Sequence, residues 1–538
     1  MAVWIWLLLL LPLFLAGVSY GLRRSAWTRW LPVIAAVLLL VGGITLVWLV
    51  GLSGPVATAS GLLRVDALSA WMLVVVGAVA VVALWGGMER SPNLAAPSSN
   101  SVPPSSNPVS PSSNPVSSSS RRRPGSLSAT DGAALRPTTD PILASGSFAA
   151  LLCLFLAAMT LAVVADNIGL MWVAIELTTI TTAFLVASKG GRDSLEAAWK
   201  YVVLGAVGVA IAFLGITLLS AASLTSGEAT VSWVLLLQHA DALDPTLAKA
   251  AGALAVLGFA TKAGLAPMHS WLPDAHSQAP APVSGLMSGV LLSVAFYVIL
   301  RIQAITDAAV GPELMRGLLL VAGLLSLAVT AGLVLTQRDY KRLLAYSSIE
   351  HMGLLALGAA AGGPLAIAAV LLHMLGHGLV KSAMFVVAGR ILDYVGSHRV
   401  ADVRNLLRLR PDLAGPFLLG SAALLGFPPF VTFFTEVGIL VAGFQSGLLW
   451  PMLIACALLL IVFAGIARHV LSMTVGVPAD HPQTVPVTRR APDTSAISPP
   501  QRISLPIALA LTATTVLGFA WPLLGPLTAA VAALGGAQ

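Results

Sequence analysis

Charge is what this chain has least of. Asp, Glu, Lys and Arg make up 9% of its 538 residues, against about 25% in soluble domains. That excludes a soluble globular core, and the 57% apolar content with a mean hydropathy of +0.91 points to a polytopic membrane protein. Cysteine is scarce too. Cys153 and Cys456 both lie inside apolar runs, which argues against a disulfide framework and a thiolate-held iron–sulfur cluster. No nucleotide loop, haem motif or Ser/His/Asp arrangement with a recognisable context occurs. The first apolar run, Val3 to Leu22, has no preceding positive region and no clear small-residue cleavage site. It therefore reads as a retained helix and not a signal peptide. The net charge of +7 follows from loop topology and calls for no nucleic acid partner.

What is present is a succession of long apolar runs. A spanning helix needs roughly 20 apolar residues. Fourteen runs qualify: Val3–Leu22, Leu31–Leu52, Ala67–Gly87, Ile142–Ala165, Ile168–Ser188, Ala197–Ala222, the broken run Leu247–Gln278, Val283–Ile302, Leu314–Thr336, Leu343–Ala361, Leu365–Leu392, a second broken run Leu413–Phe444, Leu448–Met473 and Ile503–Leu523. The predicted fold class is all-α, a membrane protein of about fourteen transmembrane helices. Residues 91–141 are Ser/Pro/Asn-rich with a near-repeat of SSNPVS. Such a segment buries too little apolar surface to offset its ordering entropy, so it reads as a disordered linker. Pro478 to Pro500 looks like a shorter one.

Lys and Arg sort by side. The loops after odd-numbered runs hold Arg23, Arg24 and Arg29; Arg90, Arg121, Arg122, Arg123 and Arg136; Lys189 and Arg192; Arg338, Lys341 and Arg342; Arg390, Arg399, Arg404, Arg408 and Arg410; and Arg489, Arg490 and Arg502. The alternate loops hold only Arg64, Lys249, Arg301 and Arg316. The positive-inside rule places the basic loops in the cytoplasm and both termini outside.

The seventh run breaks at Gly264 and Pro267, and the twelfth breaks at Gly426, Pro428 and Pro429. Proline removes a backbone donor and clashes with the preceding turn. A broken helix is tolerated in a bilayer only where its backbone is buried in protein or lines a watery cavity. Paired interruptions five helices apart suggest inverted repeats. The expected organisation is then N-terminal helices in 1–90, the linker 91–141, five-helix repeats in 142–302 and 314–473, a Pro-rich loop in 474–502 and a last helix in 503–538.

Ionisable residues inside membrane segments are functional by default. Glu176 lies near the middle of the fifth run, and Lys262 marks the seventh-run break. Glu196 and Lys200 are four apart at the start of the sixth run, on one helix face. His373, His377 and Lys381 form one stripe of the eleventh run. Glu436 follows the twelfth-run break, which Lys381 is spaced to face. Together these groups fit a proton relay, since burial and neighbouring charge set which form of each is held. Lys200 reads either as a relay member or as a residue reaching the interface. Glu350 and His351 read either as relay members or as interfacial polar residues at the start of the tenth run. His269, Asp274 and His276 sit close together, but their spacing matches no strong metal site, so no metal is expected.

These residues fall in stretches that resemble a known family. NIGLMWVAIELTT, EAAWKYVV, KAGLAPMHSWLPDAHSQAPAPVSGLMSGV, RDYKRLLAYSSIEHMGLLALG, HMLGHGLVKSAMF and GFPPFVTFFTE cover most of Asp166 to Gly443. They resemble the proton-conducting antiporter-like subunits of respiratory complex I, Mrp antiporters and membrane-bound hydrogenases, with hydrogenase-4 component F the branch most similar. The resemblance implies that Glu176 and Lys262 form a coupled pair and that His373, His377, Lys381 and Glu436 form the outward half. Where many members carry His or Lys in the eighth helix, this chain has Ser288 and Ser293, which implies water between the halves. It further implies no redox cofactor in this chain, partner membrane subunits of a complex I-like or hydrogenase complex with a peripheral redox module, and a bacterial plasma membrane location. An Mrp-like cation/proton antiporter subunit, or the membrane half of an inorganic-carbon uptake pair, is the alternative without electron transfer.

The orientation is testable. Cysteines engineered at Ser112 and Ser397 are expected to be shielded from an impermeant thiol reagent in intact cells. Labelling of both from outside would overturn the topology.

Overall fold

Each apolar run becomes a helix whose ends are set by caps or breakers. The computed structural model describes residues 2–88, 146–476, 503–520 and 532. The linkers 91–141 and Pro478 to Pro500 lie outside the described residues, as do Arg90, Arg121, Arg122, Arg123, Arg136, Arg489, Arg490 and Arg502. The fold is all-α and multi-pass. The first three helices are α1 (Ala2–Gly21), α2 (Leu31–Ser53) and α3 (Ala67–Met88). A two-stranded pair, β1 (Val56–Ala57) and β2 (Arg64–Val65), joins α2 to α3 with Val56 opposite Val65.

Next come α4 (Gly146–Val164), α5 (Ile168–Ala187) and α6 (Arg192–Ala222). Asn167 caps α5 by accepting from the Leu170 amide at 3.0 Å. A short helix the sequence did not announce, α7 (Trp233–Gln238), precedes the seventh run. That run is two helices, α8 (Pro245–Ala263) and α9 (Trp271–Gln278). Asp244 and Pro245 start α8, and Gly264 ends it in the left-handed region at φ +73°. The eighth run holds α10 (Ala281–Leu286), a π-turn over Met287–Leu291, and α11 (Leu292–Val310).

The remaining helices are α12 (Glu313–Val334), α13 (Tyr340–Ala361), α14 (Gly363–Val395), the single turn α15 (Leu406–Leu409), α16 (Pro411–Leu424), α17 (Val431–Gln445), α18 (Leu449–Thr474) and α19 (Leu505–Ala520). The twelfth run is thus also broken, between α16 and α17. Among the described residues, eleven helical segments are long and apolar enough to cross a membrane, while α17 and α19 are apolar but shorter.

Backbone bonds gather the loops at two ends. At one, the Asp166 amide donates to Leu62 O, Ile168 to Val231 O and Trp233 to Asp166 O. At the other, Gly146 donates to Arg23 O, Tyr340 to His398 O, Val400 to Arg338 O and Asn405 to Gly476 O. Arg390 there reaches Gly86 O at 2.9 Å and Ser504 Oγ at 3.1 Å. These bonds join several of the basic loops, that of Arg338 to that of Arg399 and that of Arg404 to the end of α18.

Burial is uneven. Residues 282–302 are buried throughout, and α13 is buried except at Arg342, whereas α1, α6, α12 and α18 leave much of their length facing outward. Trp199, Val203, Val207 and Leu214 on α6 are exposed in this way. A lipid-facing shell thus surrounds an inner axis of α10, α11, α13 and α14.

Two cations counted as loop residues in the sequence are core residues in the fold. Lys341 opens α13 fully buried and donates to Ser277 O at 3.0 Å and Ala279 O at 2.8 Å. It satisfies carbonyls that the end of α9 leaves open. Arg301 lies within α11. Its guanidinium donates to Asp66 at 2.6 Å and to Tyr297 Oη at 3.2 Å, and stacks 3.9 Å from the Trp233 ring. Burial raises the Asp66 carboxyl, but the Arg301 charge and hydrogen bond outweigh it and hold Asp66 below its ordinary range.

This clasp predicts a stability pattern. Arg301→Met strands a buried carboxylate and is expected to cost about 3–5 kcal/mol in detergent unfolding. Asp66→Asn combined with Arg301→Met should cost less than Arg301→Met alone. Additive losses would show that the two side chains do not depend on each other.

Candidate functional site

The first cluster forms where α8 breaks. Lys262 sits in the last turn of α8 and is fully buried. Its Nζ donates to Thr179 Oγ1 at 2.5 Å, and the Thr179 hydroxyl donates to Glu176 Oε2 at 3.2 Å. Thr179 lies one turn after Glu176 on α5, so the helix itself aims both at α8. The ammonium lies 4.7 Å from the centre of the Tyr201 ring. Gly205 makes room for it, because a Cβ there would lie 2.6 Å from Nζ. The expected Glu176–Lys262 pair is therefore joined through a hydroxyl.

The break is internally satisfied. The Trp271 indole donates to Thr261 O at 2.8 Å, and the Ala266 amide donates to Ser326 Oγ at 2.9 Å. Buried irregular backbone requires such partners. Lys200 is not part of this cluster. It pairs with Glu196 at 2.6 Å and reaches Asp274 at 3.5 Å, with 38% of its side chain exposed. Asp274 also accepts from Arg342, so it is engaged in ion pairs between helices.

Between the halves, the Ser288 hydroxyl lies in the π-turn, 2.8 Å from Ser348 Oγ on α13. Ser293 donates back to Gly289 O at 3.0 Å. π-turns inside helices occur frequently at functional sites. His276 is fully buried, stacks on Phe385 at 4.8 Å between ring centres, and has both ring nitrogens without a protein partner.

The second cluster joins α13, α14 and α17. Lys381 donates to Leu344 O at 2.7 Å and to Ser347 Oγ, both on α13. It does not face the twelfth-run break as its spacing suggested; the turn of α14 aims it at α13 instead. Glu350 is the opposing charge that acts on it. His373 is the residue that faces α17. Its Nδ1 lies 2.8 Å from Thr435 Oγ1 and its Nε2 lies 3.0 Å from His351 Nδ1. Thr435 donates along its own helix to Thr432 O at 2.9 Å. That orders the protons: His373 Nδ1–H donates to Thr435, and His351 Nδ1–H donates to His373. The His377 ring lies 4.9 Å from that of His351, and both its nitrogens lack a protein partner.

Glu350 and His351 are buried at mid-helix and not at the start of the tenth run. Glu436 Oε1 is buried without a protein partner. Its Oε2 packs over Gly426, where a Cβ would lie 2.3 Å away and where φ is +63°. Glycine is needed there both for the turn and for the carboxylate. His269, Asp274 and His276 do not assemble. Among the described residues, the group with ligand atoms close enough to share an ion is His351, His373 and Glu436, all within 4.8 Å of one another.

Sequence reading found the charges and, of the hydroxyls, only Ser288 and Ser293. Thr179, Ser347, Ser348 and Thr435 carry the contacts of Lys262, Lys381, Ser288 and His373. The signal for Thr179 was available in its spacing of three from Glu176. Nothing local marked Thr435, whose role depends on packing between α14 and α17.

Residues 165–462 match the NADH:quinone oxidoreductase/Mrp antiporter transmembrane family. A hydrogenase-4 component F homolog from Methylacidiphilum infernorum is 40% identical over 303 residues, covering 55% of this chain and 63% of that protein. The chain spans less than two thirds of the length of the first curated relatives it matches. Its fold is similar to a chain of the archaeal membrane-bound sulfane sulfur reductase, with a TM-score of 0.78 at 21% identity, covering 99% of this chain and 97% of that one. It is also similar to a chain of the Mrp complex from Dietzia sp. DQ12-45-1b, with a TM-score of 0.76 at 19% identity, covering 99% and 98%. By the match over 165–462, this chain belongs to the NADH:quinone oxidoreductase/Mrp antiporter transmembrane family.

Proposed function

We propose that this chain is the proton-translocating membrane subunit of a complex I-like or group 4 membrane-bound hydrogenase complex. Electron transfer in partner subunits drives the protons; this chain carries no redox cofactor. Its partners are other membrane subunits and a peripheral redox module, and the name of the hydrogenase-4 relative supports that class. It resides in a bacterial plasma membrane, with fourteen crossings, basic loops in the cytoplasm and both termini outside.

The observation that carries this reading is the Lys262–Thr179–Glu176 chain. A hydroxyl that accepts from an ammonium and donates to a carboxylate is oriented for a hop. Thr179 gives its proton to Glu176 while taking one from Lys262. The buried ammonium then becomes a neutral amine, which burial tolerates better. Any movement of α8 against α5 changes that balance. Ser288 and Ser348 continue the polar axis toward Glu350 and Lys381, and the imidazoles of His351, His373 and His377 continue it to Glu436. Lys200, with Asp274 and Arg342, sits beside the axis as a positioning element. The same neighbour order, first helix on second, second on third, third on the broken one, recurs in α4–α11 and α12–α18, which supports two five-helix repeats.

Purified complex in vesicles tests the reading. Glu176→Gln and Lys262→Met are each expected to abolish proton transfer. Thr179→Val should slow it roughly tenfold, about 1.4 kcal/mol of barrier, while Thr179→Ser keeps the hydroxyl and restores most of it. Full transfer in Thr179→Val would remove the hydroxyl from the path. Co-purification with small antiporter subunits and no redox module would favour the Mrp-like alternative.

A further inference from the structure

The geometry points to a metal-ion site within the second cluster, taking a divalent ion of zinc's class on His351, His373 and Glu436. Three different helices, α13, α14 and α17, supply one residue each. One ligand atom from each lies within 4.8 Å of the other two. His351 and His373 already aim nitrogens at one point, 3.0 Å apart. A tetrahedral zinc with bonds near 2.0–2.1 Å holds two ligand nitrogens roughly 3.3 Å apart. The rings need separate only slightly, with the ion replacing the proton they share. Glu436 Oε1 is buried and has no protein partner to give up.

Charge and donor type agree on the occupant. Glu350 lies close enough to Glu436 to bear on it, and Lys381 opposes Glu350. Two carboxylates against one ammonium leave room for a cation once both are ionised. Two imidazoles with a carboxylate suit zinc and its neighbours, whereas magnesium and calcium take oxygen shells. His377 stands beside His351, with 4.9 Å between ring centres and both its nitrogens without a protein partner.

An ion there ties α13, α14 and α17 together, and its imidazoles can no longer carry a proton. Occupation therefore closes the outward half of the path. That block rests on the relay reading; the binding does not. The full-length chain in detergent, equilibrated with zinc alone and dialysed, is expected to retain a single ion. H351Q and E436Q should each weaken retention by roughly tenfold or more, a scale on which even outer partners of a metal act. H269Q, outside the cluster, should retain zinc as wild type does. Equal retention by wild type, H351Q and E436Q would overturn the site, as would no retention by wild type. Should the variants fail to fold, zinc-edge X-ray absorption on the wild type decides. At least two imidazoles with an oxygen donor support the site, and an all-oxygen shell overturns it. In vesicles, zinc should stop proton transfer by the wild type. Retained zinc with undiminished transfer would leave the site standing and remove the relay from it.

Discussion

An ammonium held inside an apolar bundle is the constraint on which the first half of this structure depends. Lys262 is fully buried, and a lone charge in such a place is costly. Each neighbour answers that cost. Thr179 accepts from it, Tyr201 offers a ring face, and Gly205 withholds the Cβ that would occupy its place. Glu176 balances the charge without touching it, at one hydroxyl's remove. A direct ion pair would hold the proton more firmly. The interposed Thr179 keeps the two charges out of direct contact.

The second half solves the same problem with different chemistry. Lys381 is met by a backbone carbonyl and a serine on α13, and further along three imidazoles and two carboxylates replace the lysine–glutamate logic. Both halves put an irregular backbone next to a charge. Gly264 ends α8 beside Lys262, and Gly426 lets the chain turn while Glu436 rests against it. The π-turn carries Ser288. Irregular backbone frees polar groups, and in a bilayer these persist only where protein or enclosed water meets them. The breaks are thus a consequence of the polar axis as well as its support.

How legible this was follows from where each signal lives. Spanning helices and their breaks are written locally, in apolar length and in Gly and Pro, so both broken runs were read correctly. Charges inside apolar runs stand out, and Glu176, Lys262, His373, His377, Lys381 and Glu436 were all picked from sequence. What the sequence hid is pairwise. Arg301 looked like a loop residue because its partner Asp66 is 235 residues away. Lys341 looked like a topology signal until α9 was seen to end against it. The facing of Lys381 depends on the rotation of α14, which a stripe of three residues does not fix. Thr179, Ser347, Ser348 and Thr435 escaped notice because Ser and Thr in membrane helices usually bond back to their own turn, as Thr181 does.

One element links these parts. α13 begins with Asp339 and Lys341 gripping the end of α9, and Arg342 binds Asp274 on the same helix. Two turns on, Ser347 and Ser348 meet Lys381 and Ser288, and Glu350 and His351 follow within a turn. The half of the broken helix that follows Lys262 is therefore fastened to the helix that carries the second cluster. Every residue of α13 except Arg342 is buried, so it has no apolar lipid-facing side on which a shift could be absorbed. A displacement of α8 relative to α5, the motion that changes the Lys262–Thr179–Glu176 contacts, must, where α9 follows it, either break the Asp339 and Lys341 bonds or carry α13 with it. The first leaves buried carbonyls without partners. The second moves Glu350 against Lys381. Rigid attachment at a helix end thus gives the two clusters a mechanical reason to change together, without any charge travelling between them.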